Sequence, residues 1–170
     1  GVEASFPAEA SATEWRAGDV VDDTYEVVGI VGEGGMGIVY EVYDRNANMA
    51  MAVKCPRQAL FQYREDKENF VRECHSWMEL GLHPHIVTCH YVRVLDGIPR
   101  VFAEYVEGGS LKDWIEDGRL YQGSQIEILK RILHVAIEFA WGLQHAQSIG
   151  LVHIDVKPAN MLITFDGWVI

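Results

Sequence analysis

GIVGEGGMGIVYEVYD, Gly29 to Asp44, is the stretch that decides how this chain folds. Its centre, GEGGMG from Gly32 to Gly37, fits the pattern G-x-G-x-x-G, which alone is a weak signal. Glycine lets backbone N–H groups approach phosphate oxygens closely. The residues after the glycines choose between folds. A dinucleotide-binding crossover needs a helix there. Instead IVYEVYD follows, alternating like a strand, and YEVVGIV before the glycines reads as a strand as well. A glycine turn between two strands is a hairpin flap, which points to a different kind of nucleotide site. The competing reading is an ordinary glycine-rich turn.

Outward from this hairpin, DRNAN separates it from MAMAVK, so Thr24 to Val53 predicts three antiparallel strands. A helix is expected over roughly Asp66 to Leu80, because Phe70, Val71, Cys74, Trp77 and Met78 recur at helical spacing. Gly81 and Pro84 end it. HIVTCHYVRVLDGIPRVFAEYV predicts two further strands around a DG turn. GGSLKDWIEDG predicts a loop entering a short helix. Ser124 and Glu127 form a capping box before a long helix, Gln125 to about Ser148. That helix is apolar on almost every side, from Ile126 to Leu143, and such a helix is normally wrapped by other elements. The few residues after it cannot wrap it. The chain therefore reads as the front part of a larger domain, with self-association through the uncovered helix expected.

Composition narrows the function classes. Nearly half of the 170 residues are apolar, enough for a core, and no run of eighteen apolar residues reads as a membrane span. GVEASFPAEASATEW at the start lacks an initiator Met and a signal-peptide pattern. Residues 1–23 read as a flexible leader, and the chain as an internal fragment. Cys55, Cys74 and Cys89 are few and form no C-x-x-C, as expected of reduced thiols in the cytoplasm. A formal charge of −11 argues against binding nucleic acid by phosphate neutralisation.

Three features carry candidate chemistry. Lys54 ends an apolar strand, where a buried ammonium needs an anion or a carboxylate. Glu73, three after Phe70 and four before Trp77, shares the apolar face of its predicted helix and is a candidate partner. HIDVKPAN, His153 to Asn160, is the sharpest element. Asp155 could accept a proton from a hydroxyl, Lys157 could neutralise a phosphoryl group, and Asn160 could offer an oxygen to Mg²⁺. The competing reading is a solvated turn. A zinc reading of Cys74, His75, His83, His85, Cys89 and His90 is disfavoured, since their spacing forms no clean pair of pairs.

Together these motifs resemble the eukaryotic-type serine/threonine protein kinase family in its bacterial form. GEGGMGIV resembles the Gly-rich loop, AVK the strand lysine motif, and HPHIV the loop after the glutamate helix. EYVEGGSL resembles the hinge, and HIDVKPAN the catalytic loop. Glu73 stands where the family's helix glutamate is expected. The resemblance implies an α+β kinase-like fold. Its small lobe would be a five-stranded antiparallel sheet with one helix, over 24–103. Residues 104–170 would be the hinge and a partial helical large lobe that ends before D-F-G. It also implies ATP and Mg²⁺ as cofactors and a protein as substrate. Val31, Gly32, Gly34, Gly37, Val39, Ala52, Lys54, Glu104, Val106 and Leu162 would bind the nucleotide, with Ala103 at the gatekeeper position. Lys54 would pair with Glu73 and the α- and β-phosphates. Asp155 would take the hydroxyl proton, Lys157 would steady the γ-phosphate, and Asn160 would hold Mg²⁺.

Two departures qualify this. Ile154 replaces the usual Arg, so activity should not depend on a phosphorylated activation loop. No D-F-G occurs, and FDG at Phe165 to Gly167 reads as a turn between two short strands. The expectation is a partial kinase domain with little or no phosphotransfer alone. The alternatives are a pseudokinase-like module that binds nucleotide or protein, and a small-molecule phosphotransferase of related fold.

Overall fold

IVYEVYD is a strand, and the glycines before it close a hairpin. The computed structural model describes residues 14–35, 37–153 and 155–170. Its strands are β1 (Val20–Val21), β2 (Tyr25–Gly34), β3 (Gly37–Asp44), β4 (Met49–Pro56), β5 (Cys89–Leu95) and β6 (Ile98–Glu104). They form one sheet in the order β1-β2-β3-β4-β6-β5, and the β1/β2, β2/β3 and β3/β4 pairs are antiparallel. The five strands expected from sequence are β2 to β6. The two-residue edge strand β1 is an addition, too short to leave a periodic signal.

The helices are α1 (Arg64–Glu79), α2 (Leu111–Glu116) and α3 (Gln125–Ser148). Of the described residues, those up to Val71 and Val92–Phe102 form one unit, and Arg72–Tyr91 with Ala103–Ile170 form a second.

In the first unit, strand alternation sorts the side chains by face. Ile38, Tyr40 and Val42 of β3 and Met51 and Val53 of β4 are buried together with Tyr25, Val27 and Phe102. The Tyr25 and Phe102 rings meet at 4.7 Å, and Trp15 packs on Tyr40 at 5.2 Å. The DG turn between β5 and β6 has φ of 52° at Asp96 and 72° at Gly97, both left-handed, as the tight hairpin turn matched to strand twist requires.

In the second unit, α2 and α3 each begin with a complete capping box. Ser110 pairs with Asp113, and Ser124 with Glu127. The second was expected from sequence. Leu111, Leu120, Val135, Ile163 and Val169 form the core, with Trp114, Ile115, Phe139 and Met161 against it. Only Val135, Glu138 and Gly142 of α3 are buried. Ile126, Leu129, Leu133, Ile137 and Trp141 are all exposed, forming one stripe at helical spacing. After HIDVKPAN the chain forms a small hairpin. Leu162 and Ile170 exchange N–H···O bonds of 3.0 and 2.8 Å, and Thr164–Gly167 make the turn, so FDG is the turn residues as expected.

Candidate active site

The glycine run sits at the tip of the β2–β3 hairpin, where Gly34 pairs with Gly37. Gly37 has φ of +145°, and a Cβ there would lie 2.2 Å from the Cys55 carbonyl oxygen, so only glycine fits. Gly32 pairs with Val39, and Val39 pairs with Lys54 on β4. Gly32, Val39 and Lys54 therefore form one cross-strand row. Ala52, two residues before Lys54, shares its face. Val39, Ala52 and Lys54 are half-buried, whereas Ile38, Tyr40, Met51 and Val53 on the opposite face are buried. Val31 and Gly34 are exposed.

Arg57 was not singled out in the sequence. Its Nε donates to the Gly34 carbonyl at 3.3 Å and its Nη2 pairs with Glu33 Oε1 at 3.1 Å, so it clasps the hairpin tip. The only sequence signal was a cation just beyond β4.

In the second unit, Glu104 ends β6 with its carboxylate accepting from the Thr88 N–H at 3.1 Å, while its own N–H donates to the Thr88 carbonyl at 2.9 Å. Ala103 and Val106 are buried. Glu73 on α1 is exposed, so its placement on a buried apolar face is corrected. The physical reason is that burial on α1 concentrates at Cys74, one helical step of about 100° away. Lys54 and Glu73 belong to different units.

Asp155, Lys157 and Asn160 form a connected polar cluster. Lys157 Nζ lies 2.6 Å from Asp155 Oδ2. Asn160 Nδ2 donates to the Asp155 carbonyl at 2.8 Å and to Oδ2 at 3.0 Å. The Lys157 ammonium first, and the Asn160 amide second, hold the Asp155 carboxyl below its ordinary pKa. Pro158–Asn160 form a single 3-10 turn, which returns the Asn side chain over Asp155. With its nitrogen committed to Asp155, Asn160 keeps the amide oxygen for a cation, the donor type that Mg²⁺ accepts. Among the described residues no cluster of three or more His, Cys, Asp or Glu could hold a metal by itself. Ile154 lies outside the described residues.

The hairpin beyond Asn160 is fixed from two sides. The Leu111 N–H donates to the Met161 carbonyl and the Ile163 N–H to the Gly109 carbonyl, both at 2.8 Å. From α3, buried Glu138 accepts the Val169 N–H through Oε2 at 2.8 Å. Its Oε1 lies 3.0 Å from His134 Nε2 but out of line for a hydrogen bond, so this is an ion pair only when His134 is protonated. Sequence reasoning missed Glu138, although one acid inside an apolar helix was the signal.

Leu162 is half-buried beside this anchor. His83, His85 and His145 meet by ring packing, with His83 stacked on His145 at 4.5 Å. Burial first, then His145 and His85, lower the His83 pKa.

A family model described as the protein kinase domain matches residues 25–169. A protein of Clostridium perfringens described as a probable serine/threonine-protein kinase is 35% identical over 151 residues, covering 88% of this chain and 21% of its own length. The serine/threonine-protein kinase PrkC of Bacillus subtilis is 32% identical over 154 residues, covering 88% of this chain and 22% of its own length. The crystal structure of the Mycobacterium tuberculosis PknI kinase domain superposes with a TM-score of 0.71 at 29% identity, covering 90% of this chain and 59% of that one. The chain thus spans about a fifth of the length of the curated relatives it matches.

Proposed function

Because this chain belongs to the protein kinase domain family, we propose that the protein it comes from is an ATP-dependent serine/threonine kinase acting on protein hydroxyls. The observation that carries this reading is the Asp155–Lys157–Asn160 cluster, in which Lys157 and Asn160 both contact the Asp155 carboxylate. Asp155 stays ionised at neutral pH, so it can orient a substrate hydroxyl and take its proton as the new P–O bond forms and the bond from the γ-phosphorus to the departing ADP breaks. A carboxylate with a depressed pKa is a weak base, so orientation is the larger part of its role. Lys157, now on Asp155, can turn to the transferring phosphoryl oxygens and offset their charge. Asn160 holds the loop through its nitrogen and would meet Mg²⁺ through its oxygen. Mg²⁺ supplies charge neutralisation on the phosphates when bound.

In the first unit, Val31, Gly32, Gly34 and Gly37 would lie over the phosphates, Lys54 would hold the α- and β-phosphates, and Val39 and Ala52 would contact adenine. In the second, main-chain groups of Glu104 and Val106 would meet the adenine edge and Leu162 its face. Glu73 would pair with Lys54. These roles follow from family resemblance. The reading extends to a small lobe over 24–103, a partial large lobe over 104–170, a cytoplasmic location, and weak or absent phosphotransfer by the 170-residue chain alone. No helix of the described residues is long and apolar enough to cross a membrane.

The test is Asp155→Ala in the full-length protein with Mg-ATP and a generic protein substrate. Phosphotransfer should fall at least about a hundredfold. Undiminished transfer would overturn the mechanism. Nucleotide binding by the full-length wild type without any transfer would favour a binding module instead.

A further inference from the structure

Among the described residues of the first unit, one buried cation has no adequate partner. Arg100 on β6 is 3% exposed. Its Nε and Nη1 make no hydrogen bond to any described residue. Nη2 lies 3.5 Å from Asp96 Oδ2, at the outer limit of a hydrogen bond. Arginine cannot shed its proton, and a buried charge is costly unless it is paired. The Trp15 ring lies over the guanidinium, with its centroid 4.3 Å from Cζ, but this supplies a π face and no acceptor atom.

Arg100 lines a cavity of about 310 Å³. That volume is at the small end of ligand pockets. Trp15, Ile38 and Ile98 give it apolar walls. Ile38 and Cys55 alternate with Val39 and Lys54 along their strands, so the cavity lies on the opposite face of the sheet from the glycine–lysine row. The Cys55 thiol also lines it, and burial pushes its pKa up to about 11 although Arg100 pulls the other way. At neutral pH the thiol therefore supplies no negative charge.

We propose that this cavity binds a small organic carboxylate, with its apolar body against Trp15, Ile38 and Ile98 and its carboxylate on Arg100. A single negative charge suits a single unpaired cation. Arg57 at the rim is already paired with Glu33. The exposed Glu14 carboxylate, also at the rim, repels a second negative charge. A phosphate dianion fits this balance less well than a monoanion. The proposal is independent of the kinase reading, since Arg100, Trp15, Ile38 and Ile98 carry no role in it.

The experiment compares indole-3-acetate with its uncharged analogue indole-3-acetamide on the full-length protein, by titration calorimetry and thermal unfolding. The acid should bind saturably at one site and raise the melting temperature, and the amide should bind at least about tenfold more weakly. Arg100→Met should erase the preference for the acid without lowering the melting temperature, because it removes an unpaired buried charge. Ala59→Trp fills the rim from an exposed position and should block both ligands, which keeps the test decisive if Arg100→Met fails to fold. Equal binding of acid and amide, acid binding that survives Ala59→Trp, or no saturable binding overturns the proposal. So does inorganic phosphate binding as tightly as the acid. A requirement to remove residues 1–13 first would also overturn it, because the occupant would then be that segment of the chain.

Discussion

Asn160 bonds Asp155 twice with one nitrogen, at 2.8 Å to the main-chain carbonyl and 3.0 Å to Oδ2. The same amide therefore fixes both the path of the loop and the direction of the carboxylate. Because the nitrogen faces Asp155, the oxygen is the atom left for a cation. The metal binding proposed for Asn160 would thus be joined to loop order in one side chain. Asn160→Ala in the full-length protein should lower kcat by roughly ten- to a hundredfold and raise the Mg²⁺ concentration needed for half-maximal rate. Kinetics over a Mg²⁺ series check both, and an unchanged Mg²⁺ requirement would remove Asn160 from the metal site.

The Asp155 carboxyl titrates below its ordinary pKa because Lys157, and then Asn160, favour the ionised form. A depressed folded pKa means that the carboxylate's stabilising contribution is fully present above the unfolded value. It is lost as pH falls through the folded value. The acid limb of kcat/KM should accordingly lie below the usual carboxylate range. Lys157→Met should move the Asp155 titration upward, read by carboxyl carbon NMR. A titration that stays in place would show that Lys157 does not set it.

Much of this arrangement was legible in the residues. The glycine hairpin could be read because period-two alternation on both sides of Gly32–Gly37 left no room for a helix. Asp96–Gly97 and the Ser124–Glu127 box are local chemistry, carried within four residues. The misses are non-local. Arg100 sits in IPRVFAEYV where alternation gives no hint that Trp15, far away in sequence, lies over it. Glu138 interrupts an otherwise apolar helix, and its partner is the main chain of Val169. Glu73 fell near the apolar stripe by spacing, but spacing cannot say how wide the buried face of a helix is.

Arg57 ties the Gly34 carbonyl and the Glu33 carboxylate together through contacts that are about half exposed. Such exposed pairs contribute at most about 1 kcal/mol to stability. Arg57→Ala should leave the melting temperature nearly unchanged while loosening the hairpin tip, so KM for ATP should rise roughly two- to fivefold with kcat little altered. A large fall in melting temperature would instead make Arg57 a structural residue.

The α3 stripe departs from ordinary burial. Ile126 is 68% exposed, Leu129 58% and Leu133 52%, and Ile137 and Trp141 continue the same face. Five large apolar side chains on one face of a helix exceed what isolated surface residues account for, and water disfavours such a contiguous patch. The isolated 170-residue chain should therefore self-associate at micromolar concentration in sedimentation velocity. The double variant Leu129→Glu with Leu133→Glu places two carboxylates in the middle of the stripe and should shift the population toward monomer. Both positions are exposed, so the variant should keep the helical circular dichroism of the parent chain. Unchanged association in a folded double variant would locate the contact elsewhere.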